Sequence, residues 1–329
     1  MMRGTSVARV RWLCLAACLL SADVAMAPSH ADRRDAKRPR RPCEGARPPL
    51  SEVLDYRLRN AAFPGSGHAD VAVHVPHGFD ASRRPGLVLY FHGWMATADS
   101  ALSGGDDASA GAASASRGDD LASELDAARV NALLVAVELR VDASSGETGE
   151  LSAPGRLRSL LQELFQEHLR GSLGCVVQVD ALDRVVLVAH SGGYQAAASA
   201  LQFGDLPGIV EVDLLDAAYG ALGVFVRWVQ DNADRFDPRA RRGLRFVDLY
   251  TCCGGTATAS HTLMLEMGSV LSRADLDSAI RFDDDSGPLD DTALRSPVVF
   301  KRVPEAHADV PRAYFRQLLE AGPFERLAD

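Results

Sequence analysis

Beyond residue 50 the chain alternates between two apolar patterns. Short continuous runs, Gly86 to Phe91 (GLVLYF) and Ala132 to Leu139 (ALLVAVEL), predict strands buried on both faces. Ala69 to Val75 (ADVAVHV) alternates and stops at Pro76. Further strands are predicted over Arg184 to Ala189, Ile209 to Leu215, Leu244 to Thr251 and Pro297 to Val303. Helical spacing fills the intervals. It is clearest from Arg156 to Leu169, where Leu157, Leu160, Leu161, Leu164 and Phe165 recur three and four apart. Other helices are predicted over Asp119 to Arg129, from Tyr194 to about Leu201, from about Ala221 to Asp234, over Ala259 to Ser272 and over Val310 to Ala321. Residues 100 to 118 are small and polar, which predicts a long surface loop. Strands that alternate with helices imply an α/β fold, with a mostly parallel sheet and helices on both faces. No internal repeat and no second core is visible, so one domain is expected over 51–329.

The first fifty residues follow a different pattern. Arg3, Arg9 and Arg11 precede an apolar run, Trp12 to Leu20, and Ala25-Met26-Ala27 fits a small-x-small cleavage site. Residues 1–27 therefore read as a signal peptide, and a secreted or periplasmic protein is expected. The run is too short for a bilayer, which takes about 20 residues, and no other stretch resembles a membrane span. Leu15-Ala16-Ala17-Cys18 also fits a lipoprotein box, which keeps a lipid anchor at Cys18 as the alternative. Against it, the apolar run continues past Cys18. Residues 28–50 are rich in Pro and Arg without apolar periodicity, the composition of a flexible linker.

The net charge of −9 argues against a nucleic-acid partner, which would meet a basic face. Two of the six cysteines, Cys14 and Cys18, fall in the signal segment. Cys43, Cys175, Cys252 and Cys253 remain, and four cysteines allow three disulfide connectivities. Adjacent Cys252 and Cys253 would pair only with local strain. No second CxxC or nearby His supplies tetrahedral ligands, so no metal site is expected.

Candidate chemistry lies just past the strands. In an open parallel sheet, sites gather at the carboxyl ends of the strands. His92-Gly93-Trp94 follows one strand and Ala189-His190-Ser191-Gly192-Gly193 another; Asp216 and His307 follow two more. Ser191 thus stands where an apolar strand gives way to a helix, between small residues at 189 and 193. That is the layout of a nucleophile elbow, a tight turn that exposes a hydroxyl. The following helix directs its first amides at the site, where negative charge would develop. By position, the N–H of Gly192 is one oxyanion donor. The second comes from the loop after the first strand, at Trp94 or Met95.

These motifs resemble the α/β-hydrolase superfamily, across nearly all of residues 69 to 329. The resemblance implies a serine hydrolase with Ser191 as nucleophile, His307 as general base and acid, and Asp216 orienting the imidazole. It departs from the usual pattern in two places. Ala189 stands where Gly is usual. The loop after Leu244–Thr251, where most members carry the acid, reads Cys252-Cys253-Gly254-Gly255-Thr256 and has no carboxylate. Asp216, at the tip of the preceding strand, is the better candidate, an arrangement similar to lipases of the pancreatic type. Asp248 is the alternative, although within its strand it would point into the packing; the Asp283-Asp284-Asp285 cluster stands third. The implied reaction is hydrolysis of a carboxylic ester through an acyl-enzyme, with a small molecule or peptide as substrate and no metal or organic cofactor. An amidase or peptidase on the same residues, and an inactive binding protein, are the other readings. His190 and His92 are expected to be structural. Trp94 and Tyr219 are expected to line a pocket or to pack. No large apolar lid is visible, which favours short acyl esters.

Overall fold

The structure, a computed structural model, describes residues 52–104, 118–144, 147–240, 243–252 and 255–327. The expected signal peptide and linker lie outside them. Among the described residues nine strands form one sheet: β1 (Val53–Tyr56), β2 (Val71–His74), β3 (Gly86–Phe91), β4 (Ala132–Val137), β5 (Val185–His190), β6 (Ile209–Leu215), β7 (Arg245–Thr251), β8 (Ile280–Asp283) and β9 (Val298–Val303). Their order is β1-β2-β4-β3-β5-β6-β7-β9-β8. β1 pairs antiparallel with β2, and β2 with β4; every other pair is parallel.

Continuous apolar runs form the middle of the sheet because both faces there are covered. In β3, Leu87, Leu89 and Phe91 face one core while Val88 and Tyr90 face the other. In β5, Val185, Leu187 and Ala189 divide from Val186 and Val188 in the same way. One layer holds α3 (Arg156–Glu163), a π-helical turn over Leu164–His168, α4 (Leu169–Leu173), α5 (Tyr194–Phe203), α6 (Leu222–Asp231) and α7 (Ala257–Arg273). The other holds α1 (Ala98–Ser103), α2 (Leu121–Ala128), α8 (Asp291–Arg295) and α9 (Val310–Ala321).

The expectation of a loop over 100–118 is corrected at its start, where α1 runs to Ser103. Thr97 and Ser100 form a reciprocal capping box, and Glu138 accepts the N–H of Ala98 at 2.7 Å. These bonds give a short helix a defined beginning in a stretch without apolar periodicity. Residues 105–117 lie outside the described set. β1, β8 and α8 were not predicted. β1 and β8 are four residues long and half-buried at the sheet's two edges, so neither carries an apolar run.

Candidate active site

Three residues other than glycine hold left-handed backbone at the carboxyl ends of neighbouring strands. They are Met95 (φ 63°), Ser191 (φ 51°) and Asp216 (φ 48°). Such conformations cost free energy and persist only where the surroundings impose them. At Ser191 the cause is visible. β5 ends at His190, a 3-10 turn covers Ser191–Gly193, and α5 begins at Tyr194. β3 and β5 are paired neighbours, with Phe91 opposite Ala189. The two loops that leave them are therefore pressed together. A Cβ built on Gly193 would lie 2.1 Å from the Phe91 carbonyl oxygen, and one on Gly93 would lie 2.7 Å from Ser191 Cβ. Only glycine fits at either position, whereas Ala189 is wholly buried with its methyl accommodated.

His307 stands in a short turn after β9, with about a third of its side chain exposed. Its Nδ1–H donates to Asp216 Oδ2 at 2.6 Å. That bond leaves Nε2, on the opposite edge of the ring, able to take a proton. The backbone carbonyl of His307 accepts from His190 Nε2 at 3.0 Å, and the two rings lie 4.8 Å apart. Because His190 precedes Ser191, this bond ties the histidine turn to the elbow. Burial pushes the His190 imidazole down to about 4, helped by the neighbouring His307, so it is neutral near pH 7. Its role here is structural.

Asp216 is fully buried. Besides His307, it accepts the Thr251 N–H at 3.0 Å and the Thr251 hydroxyl at 2.8 Å, together with the Thr256 hydroxyl. Burial alone would raise its pKa. The His307, Thr256 and Thr251 donors outweigh burial and hold the carboxyl below the usual range.

The loop after β3 is fastened by His92. The Leu139 N–H donates to His92 Nε2 at 2.8 Å, and His92 Nδ1 donates to the Gly93 carbonyl at 2.9 Å. The Met95 N–H is taken by the Val141 carbonyl at 2.9 Å. Of the two N–H groups considered for this loop, that of Met95 is thus already engaged. Trp94 is 55% exposed and Tyr219 40%, and the Tyr219 ring stands edge-on to His307 at 6.1 Å.

The chain matches no protein-family model, and no curated protein is similar to it in sequence. Solved structures are similar in fold at low identity. A feruloyl esterase module from Clostridium thermocellum, complexed with sinapinate, is 10% identical, with 86% of this chain and 93% of that one covered at a TM-score of 0.47. A ferulic acid esterase from Anaeromyces mucronatus, complexed with ferulic acid, is 14% identical (84% and 93% covered, TM-score 0.40). A siderophore hydrolase from Aspergillus nidulans is 13% identical (84% and 97% covered, TM-score 0.41). By its own strand order and its elbow, the chain has the α/β-hydrolase fold.

The alternative acids lie apart from His307. Asp248 is fully buried inside β7, and neither of its carboxyl oxygens has a hydrogen-bond partner. Burial pushes it up to about 7; the Ser260 hydroxyl opposes this and the Asp216 charge adds to it. Asp283 pairs with Lys301 at 2.7 Å, Asp284 accepts the Tyr250 hydroxyl at 2.8 Å, and the Asp285 carbonyl accepts from Lys301 at 2.7 Å. Cys175 and Cys252 each take part in a disulfide, and Cys43 and Cys253 lie outside the described residues. Among the described residues, no three His, Cys, Asp or Glu side chains are grouped to hold a metal ion. No described helix is long and apolar enough to cross a membrane.

Sequence reasoning missed Thr251 and Thr256. The signal was present in one form: a loop that lacks the expected carboxylate is flanked by two hydroxyls.

Proposed function

We propose that this protein is an exported serine hydrolase that cleaves a carboxylic ester of a small molecule through an acyl-enzyme. The observation that carries this reading is the His307–Asp216 bond of 2.6 Å, in a turn whose carbonyl is bonded to the residue before Ser191. In this reading Ser191 Oγ attacks the carbonyl carbon as His307 Nε2 takes its proton. Asp216 holds the imidazole in the correct tautomer and stabilises its charged form. The N–H groups of Gly192 and Trp94 receive the oxyanion, and one such donor contributes about 3–4 kcal/mol to the transition state. Collapse of the tetrahedral intermediate expels the alcohol, which takes the proton from His307. Water, activated by the same imidazole, then releases the acid and restores Ser191. The exposed Trp94 and Tyr219 side chains flank this chemistry and would contact the substrate. Short acyl groups remain the expected class. Export rests on the N-terminal sequence, with a lipid anchor at Cys18 as its alternative form.

The test is labelling of the mature chain by a fluorophosphonate, beside Ser191→Ala and His307→Ala, followed by matched ester and anilide substrates. Wild type is expected to label, both variants to stay unlabelled, and the ester to turn over faster. A folded wild-type chain that resists the probe overturns the reading.

A further inference from the structure

An ionised carboxylate offers about four acceptor positions, two on each oxygen. In Asp216 all four are filled. Oδ1 accepts the Thr251 N–H and the Thr256 hydroxyl, and Oδ2 accepts the Thr251 hydroxyl and His307 Nδ1–H. Three of these donors come from β7 and the segment that follows it, where the chain has no acid of its own. Thr251 is 3% exposed and Thr256 is fully buried, so solvent does not compete for Asp216. The Asp216 N–H in turn donates to the Leu249 carbonyl of β7 at 2.6 Å, so acid and clamp grip each other through backbone and side chain.

We propose that Thr251 and Thr256 are positioning residues for the reaction: the segment after β7 holds the acid of β6 in the orientation that His307 needs. The inference rests on Asp216 being the acid of the site. A carboxylate with every acceptor position used has one orientation, and its bond to His307 is then set by the β7 segment. Removing one donor has two consequences. The carboxylate gains freedom to rotate away from the imidazole. It also becomes more basic, so it protonates at higher pH and holds an imidazolium more tightly. The greater basicity moves the acid limb of the rate profile to higher pH, and the freedom to rotate lowers the rate across the profile.

The experiment compares Thr256→Val, Thr256→Ser and Asp216→Asn in the full mature chain. It reads the second-order rate of fluorophosphonate labelling from pH 5 to 9, with thermal unfolding followed by circular dichroism. Val keeps the shape of Thr and loses the hydroxyl; Ser keeps the hydroxyl. Thr256→Val is expected to label about tenfold or more slowly at pH 7, as befits the loss of a hydrogen bond to a charged group. Its acid limb should move upward, and Thr256→Ser should restore rate and profile. Should Thr256→Val fail to fold, Thr251→Val, which retains the backbone donor, is read in the same way. A wild-type rate and profile in the Val variant, beside a slow Asp216→Asn, overturns the clamp and leaves the acid in place. An Asp216→Asn variant as fast as wild type overturns both.

Discussion

Asp216 and Asp248 lie on adjacent strands, and both are 0% exposed. They nevertheless take opposite electrostatic positions. Asp216 collects four donors and is held below the usual carboxylate range. Asp248 has no hydrogen-bond partner on either oxygen and is pushed from 3.8 up to about 7. Both are closed to solvent, and what holds Asp216 ionised against burial is its set of donors. The charge of one also feeds the other, because ionised Asp216 adds to the elevation of Asp248. Only Asp216 therefore offers the permanent negative charge that an imidazolium needs.

The sharpest way to break this comparison is to neutralise each carboxyl in turn. Asp216→Asn should slow fluorophosphonate labelling by about 10³- to 10⁴-fold, the order expected when the imidazole loses its orienting anion. Asp248→Asn should stay within about threefold of wild type, since Asp248 makes no hydrogen bond to His307, whose Nδ1–H goes to Asp216. A slow Asp248 variant beside a fast Asp216 variant would reverse the assignment.

Stability should separate the same pair with the opposite emphasis. Asp248 has a folded pKa above its unfolded value, so its contribution is fully present below about pH 4 and is lost as pH rises through about 7. An amide at 248 does not titrate. The advantage of Asp248→Asn over wild type should therefore grow between pH 4 and 8, by an amount approaching roughly 4 kcal/mol. Urea midpoints at three pH values measure this, and a difference that does not change with pH would contradict the burial argument. Asp216 has the reverse sign: its contribution is present above the unfolded pKa and is lost as pH falls through its depressed folded value.

The smallest expected effect is at His190, which supports the site without charge. His190→Phe removes the 3.0 Å bond to the His307 carbonyl and should slow labelling about fivefold, the worth of one neutral hydrogen bond. Because the ring is neutral above about pH 4, the pH profile should keep its shape. A shifted acid limb would mean that His190 titrates with the site.

Legibility in the sequence follows the physics of each element. β3, β4 and β5 are visible as continuous or nearly continuous apolar runs because both of their faces are covered. β1 and β8 are hidden, because an edge strand of four half-buried residues needs no such run. α1 is hidden in a stretch of small residues, and its beginning is marked only by Thr97 and Ser100. Ser191 stands out because the elbow needs small neighbours. Asp216 is favoured over Asp248 on position alone, at the tip of a strand rather than within one. Thr251 and Thr256 carry no comparable mark, because their partner lies 35 and 40 residues away along the chain.

The amino-acid sequence by itself determined the alternation of strands and helices, the turn at Ser191 and the loop ends that carry Asp216 and His307. These are local matters of periodicity, side-chain size and backbone preference. Tertiary structure alone decided that β3 and β5 pair, which presses Gly93 against Ser191. It alone placed β7 beside β6, so that two threonines close on Asp216 while Asp248 gains no such set of donors. Which carboxyl is charged depends on the donors within reach, and neighbouring strands, distant along the chain, bring those donors together.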